Sequence, residues 1–506
     1  MIQRDGALTS LWQGNIAPYI VTNRPDKNVV YDVIIVGGGI TGISTALLLQ
    51  EAGKQCLVLE AAEMGYGTTG GTTAHLNTLL DTPYYVIEQN FGEENAAHVA
   101  GATAAAINLV RNNVQRFNID CGFKEADAYL FAQDEKQEKE LEKIRETSAK
   151  AGLDISYAQQ IPVSVPFTKA VRVTGQAKFS PLEYVHGIAK AFEAAGGVIM
   201  QQCKVIDTDK GSTLKVQTNA GVFSAVDLIY ATHIPPGINL LHLRCAPYRS
   251  YAMAVTLEDE AYPEDLSYDM YDPYHYYRTQ VVKGETYLIV GGEDHKTGHE
   301  TNTEKCLLTL ESHVRKYFKV KEVAYRWSSQ YFEPADGLPY IGYLPGSEDH
   351  IYVASGYGGN GMTYSSVAAL LLKQIILGEK PALEKLFDPN RIKPVAGFTN
   401  FVTHNTDVIK QFFGKMFSAE EISQLTELAP GEGKLVEYHD RKIALYKSEE
   451  GQLYALNPSC AHMKCDVKWN QAEKSWDCPC HGARYNYDGK VMTGPADTDL
   501  EGLALS

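Results

Sequence analysis

A glycine-rich turn between a short apolar strand and an apolar helix constrains the fold of this chain more than any other feature. The turn, GGGITG at 37–42, matches G-x-G-x-x-G, follows YDVIIV at 31–36 and precedes the periodic stretch ISTALLLQEAG. The next strand, CLVLE, ends at Glu60, 23 residues after Gly37. This β-α-β context predicts a parallel sheet that binds a dinucleotide, with Glu60 accepting hydrogen bonds from ribose hydroxyls.

Each position of the turn has a physical role in this prediction. Gly37 permits the tight turn, Gly39 lets the backbone approach the pyrophosphate, and Gly42 allows the helix to pack closely on the strand. The helix begins near Ile40 and Thr41, and its free N–H groups present a partial positive charge to the phosphates. The turn alone does not distinguish FAD from NAD.

Composition limits the class of protein. The 506 residues correspond to about three domains. The net charge of −16 argues against a nucleic-acid partner, because phosphate binding needs clustered Lys and Arg. No apolar run reaches the length of a membrane span, and the N-terminus lacks the apolar core of a secretory signal. Five cysteines are scattered singly, as in proteins of a reducing compartment, so we expect a cytoplasmic protein.

Three further segments carry a resemblance to a known family. They are GTTGGTT at 67–73, DGLPYIG at 336–342 and GYGGNGMT at 356–363, the last leading into a predicted helix. Over roughly residues 30–390 the chain resembles the D-amino-acid oxidase/glycine oxidase (DAO) family of FAD-dependent oxidoreductases. The resemblance implies FAD and assigns cofactor contacts to Gly67, Thr68, Thr69, Thr72, Thr73, Val205, Thr232, Gly358, Gly359, Asn360, Gly361, Met362 and Thr363.

A cluster of cysteines and histidines near the C-terminus forms the second strong motif. Its two halves are Cys460-x-His462 and Cys478-x-x-His481, separated by 15 residues. Two loops that each supply one thiolate and one imidazole are typical of a Rieske [2Fe–2S] centre, in which two cysteines hold one iron and two histidines the other. A structural zinc site is the alternative, but zinc fingers of this composition pair C-x-x-C with H-x3–5-H.

Further residues of this region resemble the respiratory type of Rieske protein. The resemblance implies a disulfide between Cys465 and Cys480, although two free thiols remain an alternative because cytosolic disulfides are unusual. Gly494-Pro495-Ala496 resembles the proline loop that covers the cluster. Tyr485 can donate a hydrogen bond toward a cluster sulfur, but Ala483 stands where high-potential proteins have a serine. Loss of that donor predicts a reduction potential below respiratory values.

The predicted architecture has three parts. They are an α/β FAD-binding Rossmann-like domain of the glutathione-reductase/DAO type, an α+β substrate domain, and a small all-β Rieske domain at the C-terminus. The FAD-binding domain is expected at 1–84, 171–240 and 333–394, the substrate domain at 85–170 and 241–332, a linker at 395–430 and the Rieske domain at 431–506.

The substrate side is less defined by the sequence. YDMYDPYHYYR at 268–278 ends in Arg278, which could pair with a substrate carboxylate; an aromatic sheet face with a surface arginine is the alternative. His295 and His299 could suggest a mononuclear iron site, but their spacing and the domain order differ from Rieske oxygenases. His75 could lie close to the flavin, and covalent attachment there is a further alternative.

Together these features predict an FAD-dependent oxidoreductase acting on a small amine or amino-acid-like molecule. Electrons would pass one at a time from flavin to the [2Fe–2S] cluster and then to an external acceptor, which favours a dehydrogenase over an oxidase. The reverse flow, from an external donor, uses the same parts. Alternatives are an electron-transfer or redox-sensing module without its own substrate, and Rieske-linked oxygenation.

Overall fold

The computed structural model describes residues 6–391, apart from 210, 212, 348 and 349, and residues 420–421 and 428–504, apart from 439 and 440. Within these residues the helices α1–α10 are, in chain order, Leu11–Asn15, Ile40–Glu51, Tyr84–Phe91, Glu93–Arg116, Glu135–Ala151, Pro181–Ala194, Leu241–Arg244, Thr303–Tyr317, Gly361–Ile376 and Leu383–Phe387. The strands β1–β25 are Val30–Val36, Cys56–Leu59, His75–Leu76, Lys124–Ala132, Ile155–Ala158, Lys169–Lys178, Val198–Met200, Val205–Asp209, Leu214–Thr218, Gly221–Tyr230, Cys245–Leu257, Leu266–Asp269, Tyr276–Val282, Glu285–Lys296, Val320–Pro334, Tyr340–Tyr343, Ile351–Ser355, Glu420–Glu421, Gly433–Tyr438, Arg441–Lys447, Leu453–Leu456, Lys468–Asn470, Ser475–Asp477, Arg484–Asn486 and Val491–Thr493. Among the described residues, no helix combines the length and apolar character needed to cross a lipid bilayer.

The first sheet is the predicted α/β sheet. Its main path runs β16-β17-β10-β1-β2-β7, and β1 is parallel to both β2 and β10. Strand β1 carries apolar side chains on both faces and is buried over its last four residues, as expected for a central strand of a parallel sheet. Helices α2 and α9 both follow strands of this sheet and pack on each other, so their N-termini lie at the same sheet edge.

The second sheet has nine strands in the order β15-β11-β14-β13-β12-β4-β6-β3, with β5 paired to β6. Most neighbours are antiparallel, and only β12 and β4 pair in parallel. The structure assigns His75–Leu76 and all of Lys169–Lys178 to this sheet, whereas the sequence placed 75–76 and 171–178 in the FAD-binding segments. The alternation of apolar and polar residues along a strand predicts which face is buried but not which strand it pairs with. The domain boundaries near these two strands therefore depend on pairing in the folded protein.

The C-terminal domain consists of two four-stranded sheets, β18-β19-β20-β21 and β22-β23-β24-β25. It is docked on the rest of the chain through buried polar groups. The carboxylate of Glu473, fully buried, accepts from the backbone N–H and the hydroxyl of Ser328 and from the N–H of Leu8. Most of the predicted linker 395–430 lies outside the described residues.

Candidate functional site

A cavity of about 1020 Å³ extends along the sheet edge where the predicted cofactor residues meet. All the residues predicted to contact the cofactor line it, apart from Gly42 and Thr363. The cavity is therefore continuous from the β1–α2 turn past Val205 and Thr232 to the turn before α9. Part of its wall comes from the C-terminal domain, through residues 491–497, which include Pro495.

The β1–α2 turn has the conformation that a dinucleotide requires. Gly37 adopts φ +111°, a region that disfavours side chains, and a Cβ on Gly42 would lie 1.9 Å from the carbonyl oxygen of Gly37. One carboxylate oxygen of Glu60 accepts from the N–H of Gly38 and the other from the N–H of Ala62, while the side chain still faces the cavity. Helix α2 begins beside the cavity without a cap from the side chain of its N-cap residue. The N–H of Ile40 donates to Thr69 Oγ1 at 3.1 Å, so the next N–H groups of the first turn are the ones left for phosphates.

The turn before α9 forms a further part of the cavity wall and is joined to the segment after β3. The N–H of Gly359 donates to Asp81 Oδ2 at 2.9 Å, and the N–H of Asp81 donates to Asn360 Oδ1 at 2.8 Å. Thr363 donates to the carbonyl of Asn77 and lies behind the cavity wall. Thr363 thus holds the turn that the resemblance assigns to the flavin.

This end of the cavity has a wall of tyrosines and carboxyl groups. Asp294 accepts hydrogen bonds from Ser250 and from the hydroxyl of Tyr331, and the Ser250 hydroxyl also contacts Tyr276. Burial, with repulsion from neighbouring acids, raises the pKa of Asp294 to about 7. Burial likewise raises the pKa of Asp81 to about 6, although its side chain remains accessible from the cavity.

The position of Arg278 differs from the predicted carboxylate clamp. The side chain is fully buried and does not line the cavity. Its guanidinium donates to the carbonyls of Thr73, Ala74 and Phe179 and to the side chain of Gln280. Arg278 therefore lies behind the cavity wall, where its planar fork of donors fixes backbone carbonyls. A sequence does not separate this use from binding of a substrate carboxylate, which stays a prediction.

The histidines considered as alternatives have clear environments. His75 lines the cavity, its Nδ1 lies 2.8 Å from the hydroxyl of Tyr268, and burial lowers its pKa well below the usual value, so the ring is neutral. His295 uses one nitrogen with Tyr251 and the other with the carbonyl of Lys296. Neither His295 nor His299 belongs to a potential metal-binding group among the described residues.

The paired Cys/His loops meet inside the C-terminal domain. Cys460 and Cys478 are buried, and the rings of His462 and His481 lie 5.1 Å apart. Both Nδ1 atoms are buried without a hydrogen-bond partner among the described residues. Burial lowers the pKa of His481 to about 3, so this ring is neutral as a metal ligand must be. Two thiolates and two unpartnered ring nitrogens fit a Rieske cluster.

The surroundings of these loops match the sequence-based expectations. Cys465 and Cys480 form a disulfide that joins the two loops. The hydroxyl of Tyr485 lies 3.2 Å from Cys460 Sγ and accepts from the N–H of Ala461 at 3.0 Å. Ala483 is buried beside them and contributes its backbone carbonyl to Cys478 N–H. Tyr485 is thus the hydroxyl positioned to act on a cluster sulfur.

Two hydrogen-bonded connections link the cavity wall to the Cys/His loops. In the first, Thr68 donates to the carbonyl of Gln330 at 3.0 Å, and the Gln330 amide donates to the carbonyl of Gly482 at 2.9 Å. In the second, His462 Nε2 lies 3.1 Å from the carbonyl of Gly237, another wall residue. Both connections end at a histidine of the Cys/His motif or at the residue that follows one.

Several of these contributors were not identified from the sequence. Asp81, Gln330 and Gly237 have no motif around them, and they reach the site only through tertiary contacts. His242, whose ring lies 4.7 Å from that of His462, was equally hidden. Asp294 lies in the segment GGEDHK, which also contains His295. The signal for Asp294 in the sequence was its place on a predicted strand that follows the tyrosine-rich segment.

Comparisons with known proteins agree with this geometry. The FAD dependent oxidoreductase (DAO) family matches residues 32–375 and the Rieske [2Fe-2S] domain matches residues 419–504. The putative Rieske 2Fe-2S iron-sulfur protein YhfW of Bacillus subtilis (strain 168) is 32% identical over 94% of this chain and 93% of its own length. Gamma-glutamylputrescine oxidoreductase of Escherichia coli (strain K12) is 25% identical over 73% of this chain and 89% of its own. Glycine oxidase from Geobacillus kaustophilus superposes with a TM-score of 0.59 at 18% identity, covering 72% of this chain and 99% of that one.

Proposed function

Because the chain belongs to the FAD-dependent oxidoreductase (DAO) family and carries a C-terminal Rieske domain, we propose that it oxidises a small amine or amino-acid-like substrate and delivers the electrons singly to an external acceptor. FAD supplies the acceptor of a hydride from a substrate C–H, and the [2Fe–2S] cluster supplies a one-electron carrier. The similarity to gamma-glutamylputrescine oxidoreductase of Escherichia coli supports an amine or amino-acid-like donor.

The observation that carries this proposal is the shared wall between the two cofactor sites. Residues 491–497 of the C-terminal domain line the same cavity as the glycine turns. The connection from Thr68 through Gln330 to Gly482 gives a hydrogen-bonded route between the cavity and the residue after His481. A carrier placed at this wall favours a dehydrogenase, because each two-electron oxidation can leave the chain as two single electrons.

The residues of the chain have limited tasks in this reaction. The N-termini of α2 and α9 would hold anionic parts of the cofactor, and the aromatic wall would exclude water and position the substrate carbon. Removal of the substrate C–H as hydride, which carries both electrons, would leave an iminium product. The proton of that hydride would be released once the two electrons had passed singly to the acceptor, so the substrate loses two electrons and one proton overall. No strong base is required at the reacting carbon.

The test is anaerobic mixing of the flavin- and cluster-loaded protein with a panel of amines, amino acids and hydroxy acids. The proposal expects at least one amine or amino acid to bleach the flavin and, when ferricyanide is added, to reduce two ferricyanides for each substrate consumed. In Cys478→Ser, which removes a cluster ligand, bleaching should persist but ferricyanide reduction should slow at least about tenfold, the lower end of the loss expected when even an outer partner of a metal site is removed.

The matched control is Cys306→Ser, a buried thiol outside the Cys/His loops, which should behave like the parent protein. Both variants are first checked for bound flavin. If the whole panel leaves the flavin oxidised, the protein is an electron-transfer or sensing module and the proposed oxidation is wrong.

A further inference from the structure

The cavity wall beside the turn before α9 carries several acidic side chains close together. Asp81 and Asp294 line it, and Glu333 lies near enough for the three carboxyl groups to repel one another. The only Lys or Arg among the described residues that line the cavity is Lys204, next to Val205, and its ammonium donates to the carbonyl of Asp497 at 2.7 Å. None of the ion pairs between described side chains involves these three acids.

The acids keep hydrogen-bond donors but lack a countercharge. Asp294 is held by Ser250 and Tyr331, and Asp81 by the N–H of Gly359. His275 is the cationic group that acts on Asp294, but its own side chain is paired with Asp269 and Glu293. Partly buried carboxyl groups without a paired cation shift toward their neutral form, and a cationic ligand would stabilise their charged form. This wall therefore favours a cation over an anion.

The remaining wall has the chemistry that complements an organic cation. Tyr268, Tyr274, Tyr276 and Tyr331 line this end, and the rings of Tyr274 and Tyr276 lie 5.7 Å apart. Aromatic faces attract ammonium groups, and the methylenes of an amine pack against them. Independently of the acids, His75 Nε2 and Ser329 Oγ are buried on this wall without a hydrogen-bond partner among the described residues, which points to a polar group on the ligand.

We propose that this end of the cavity binds a cationic amine that lacks a carboxylate beside the reacting carbon, with Asp294 and Asp81 as the anchors of its ammonium groups. This inference rests on the proposed function, because it names the substrate class of the same site. An α-amino acid is disfavoured, since its carboxylate would join three repelling acids and would find Arg278 committed to backbone carbonyls.

The proposal is tested by titrating the anaerobic holoprotein and recording the flavin absorbance shift, which reports binding without turnover. The probes are butylamine and 1,4-diaminobutane as cations, D-alanine as an amino acid and glycolate as an anion. We expect the amines to bind and both carboxylates to bind at least tenfold more weakly. Asp81→Asn keeps an amide oxygen for the N–H of Gly359. Asp294→Asn keeps one for Ser250 or Tyr331, and the hydroxyl of the other can turn to accept from the new NH2 group. Each variant should weaken 1,4-diaminobutane binding about tenfold or more.

The matched control is Asp120→Asn, which removes one exposed acid outside the cavity and should leave the affinity within about twofold, as expected for a screened surface charge. Tighter binding of D-alanine or glycolate than of butylamine, no shift with either amine, or unchanged affinity in both cavity variants would overturn the proposal. Amine binding without bleaching by any donor would refute the proposed oxidation but retain the cation site. Flavin bleaching by D-alanine but by neither amine would support the proposed oxidation and refute the cation site.

Discussion

The hydroxyl of Tyr485 provides the sharpest prediction about the cluster. Tyr485 is fully buried, its hydroxyl lies 3.2 Å from Cys460 Sγ, and it is the side-chain hydroxyl that contacts a cluster cysteine. A sulfur that gains negative charge on reduction accepts a stronger hydrogen bond, so this contact stabilises the reduced state. In Tyr485→Phe the cluster should therefore become harder to reduce.

The magnitude follows from one hydrogen bond. A bond to a charged acceptor is worth about 1.5–3 kcal/mol, and we assign on the order of 1 kcal/mol to its strengthening on reduction. Since about 59 mV corresponds to a tenfold change for a one-electron couple, 1 kcal/mol lowers the potential of Tyr485→Phe by roughly 40 mV. Removing the hydroxyl also leaves the Ala461 N–H without its acceptor, so some loss of stability accompanies the shift.

The assay is a mediated redox titration of the cluster, followed by EPR. Tyr487→Phe is the matched control, because that exposed ring packs on Tyr446 and Tyr454 away from the Cys/His loops, and its potential should not move. An unchanged or raised potential in Tyr485→Phe would refute the assignment of this hydroxyl to the cluster sulfur.

Three further predictions concern the cluster, the cofactor turn and the domain contact. Ala483→Ser adds a donor beside the cluster and should raise the potential by roughly 40 mV or more in the same titration; a lower potential would contradict the argument from the missing serine. Gly42→Ala forces helix α2 away from the Gly37 carbonyl, so purified protein should contain well under one flavin per chain, while Gly101→Ala, where a Cβ meets nothing within 4 Å, should retain full flavin. Glu473→Gln replaces one carboxylate oxygen by an NH2 group, which would face the N–H of Ser328 or of Leu8, donor against donor. The docked C-terminal domain should lose about 2–4 kcal/mol of stability, seen as a lower melting temperature. The exposed Glu135→Gln is the control, and equal melting temperatures in the two variants would argue against the buried contact.

The parts that the sequence predicted are those in which chemistry is local. The Gly37–Gly42 turn and the two Cys/His loops depend on residues close together in the chain, so spacing alone specifies their geometry. The parts that it missed join distant segments: Asp81 reaches Gly359 across 278 residues, and Glu473 reaches Leu8 across 465. The contacts of Arg278 with backbone carbonyls were not indicated either, because a buried arginine that binds carbonyls and one that binds a substrate have the same sequence signature.

The central claim is that the flavin site and the cluster site exchange electrons within one chain. The direct measurement is reduction of the anaerobic holoprotein by a single electron pair supplied to the flavin, followed by rapid freezing and EPR. We predict a Rieske-type signal that grows as the fully reduced flavin declines, at a rate independent of protein concentration. A cluster that stays oxidised beside fully reduced flavin, or that is reduced only in proportion to protein concentration, would contradict the account.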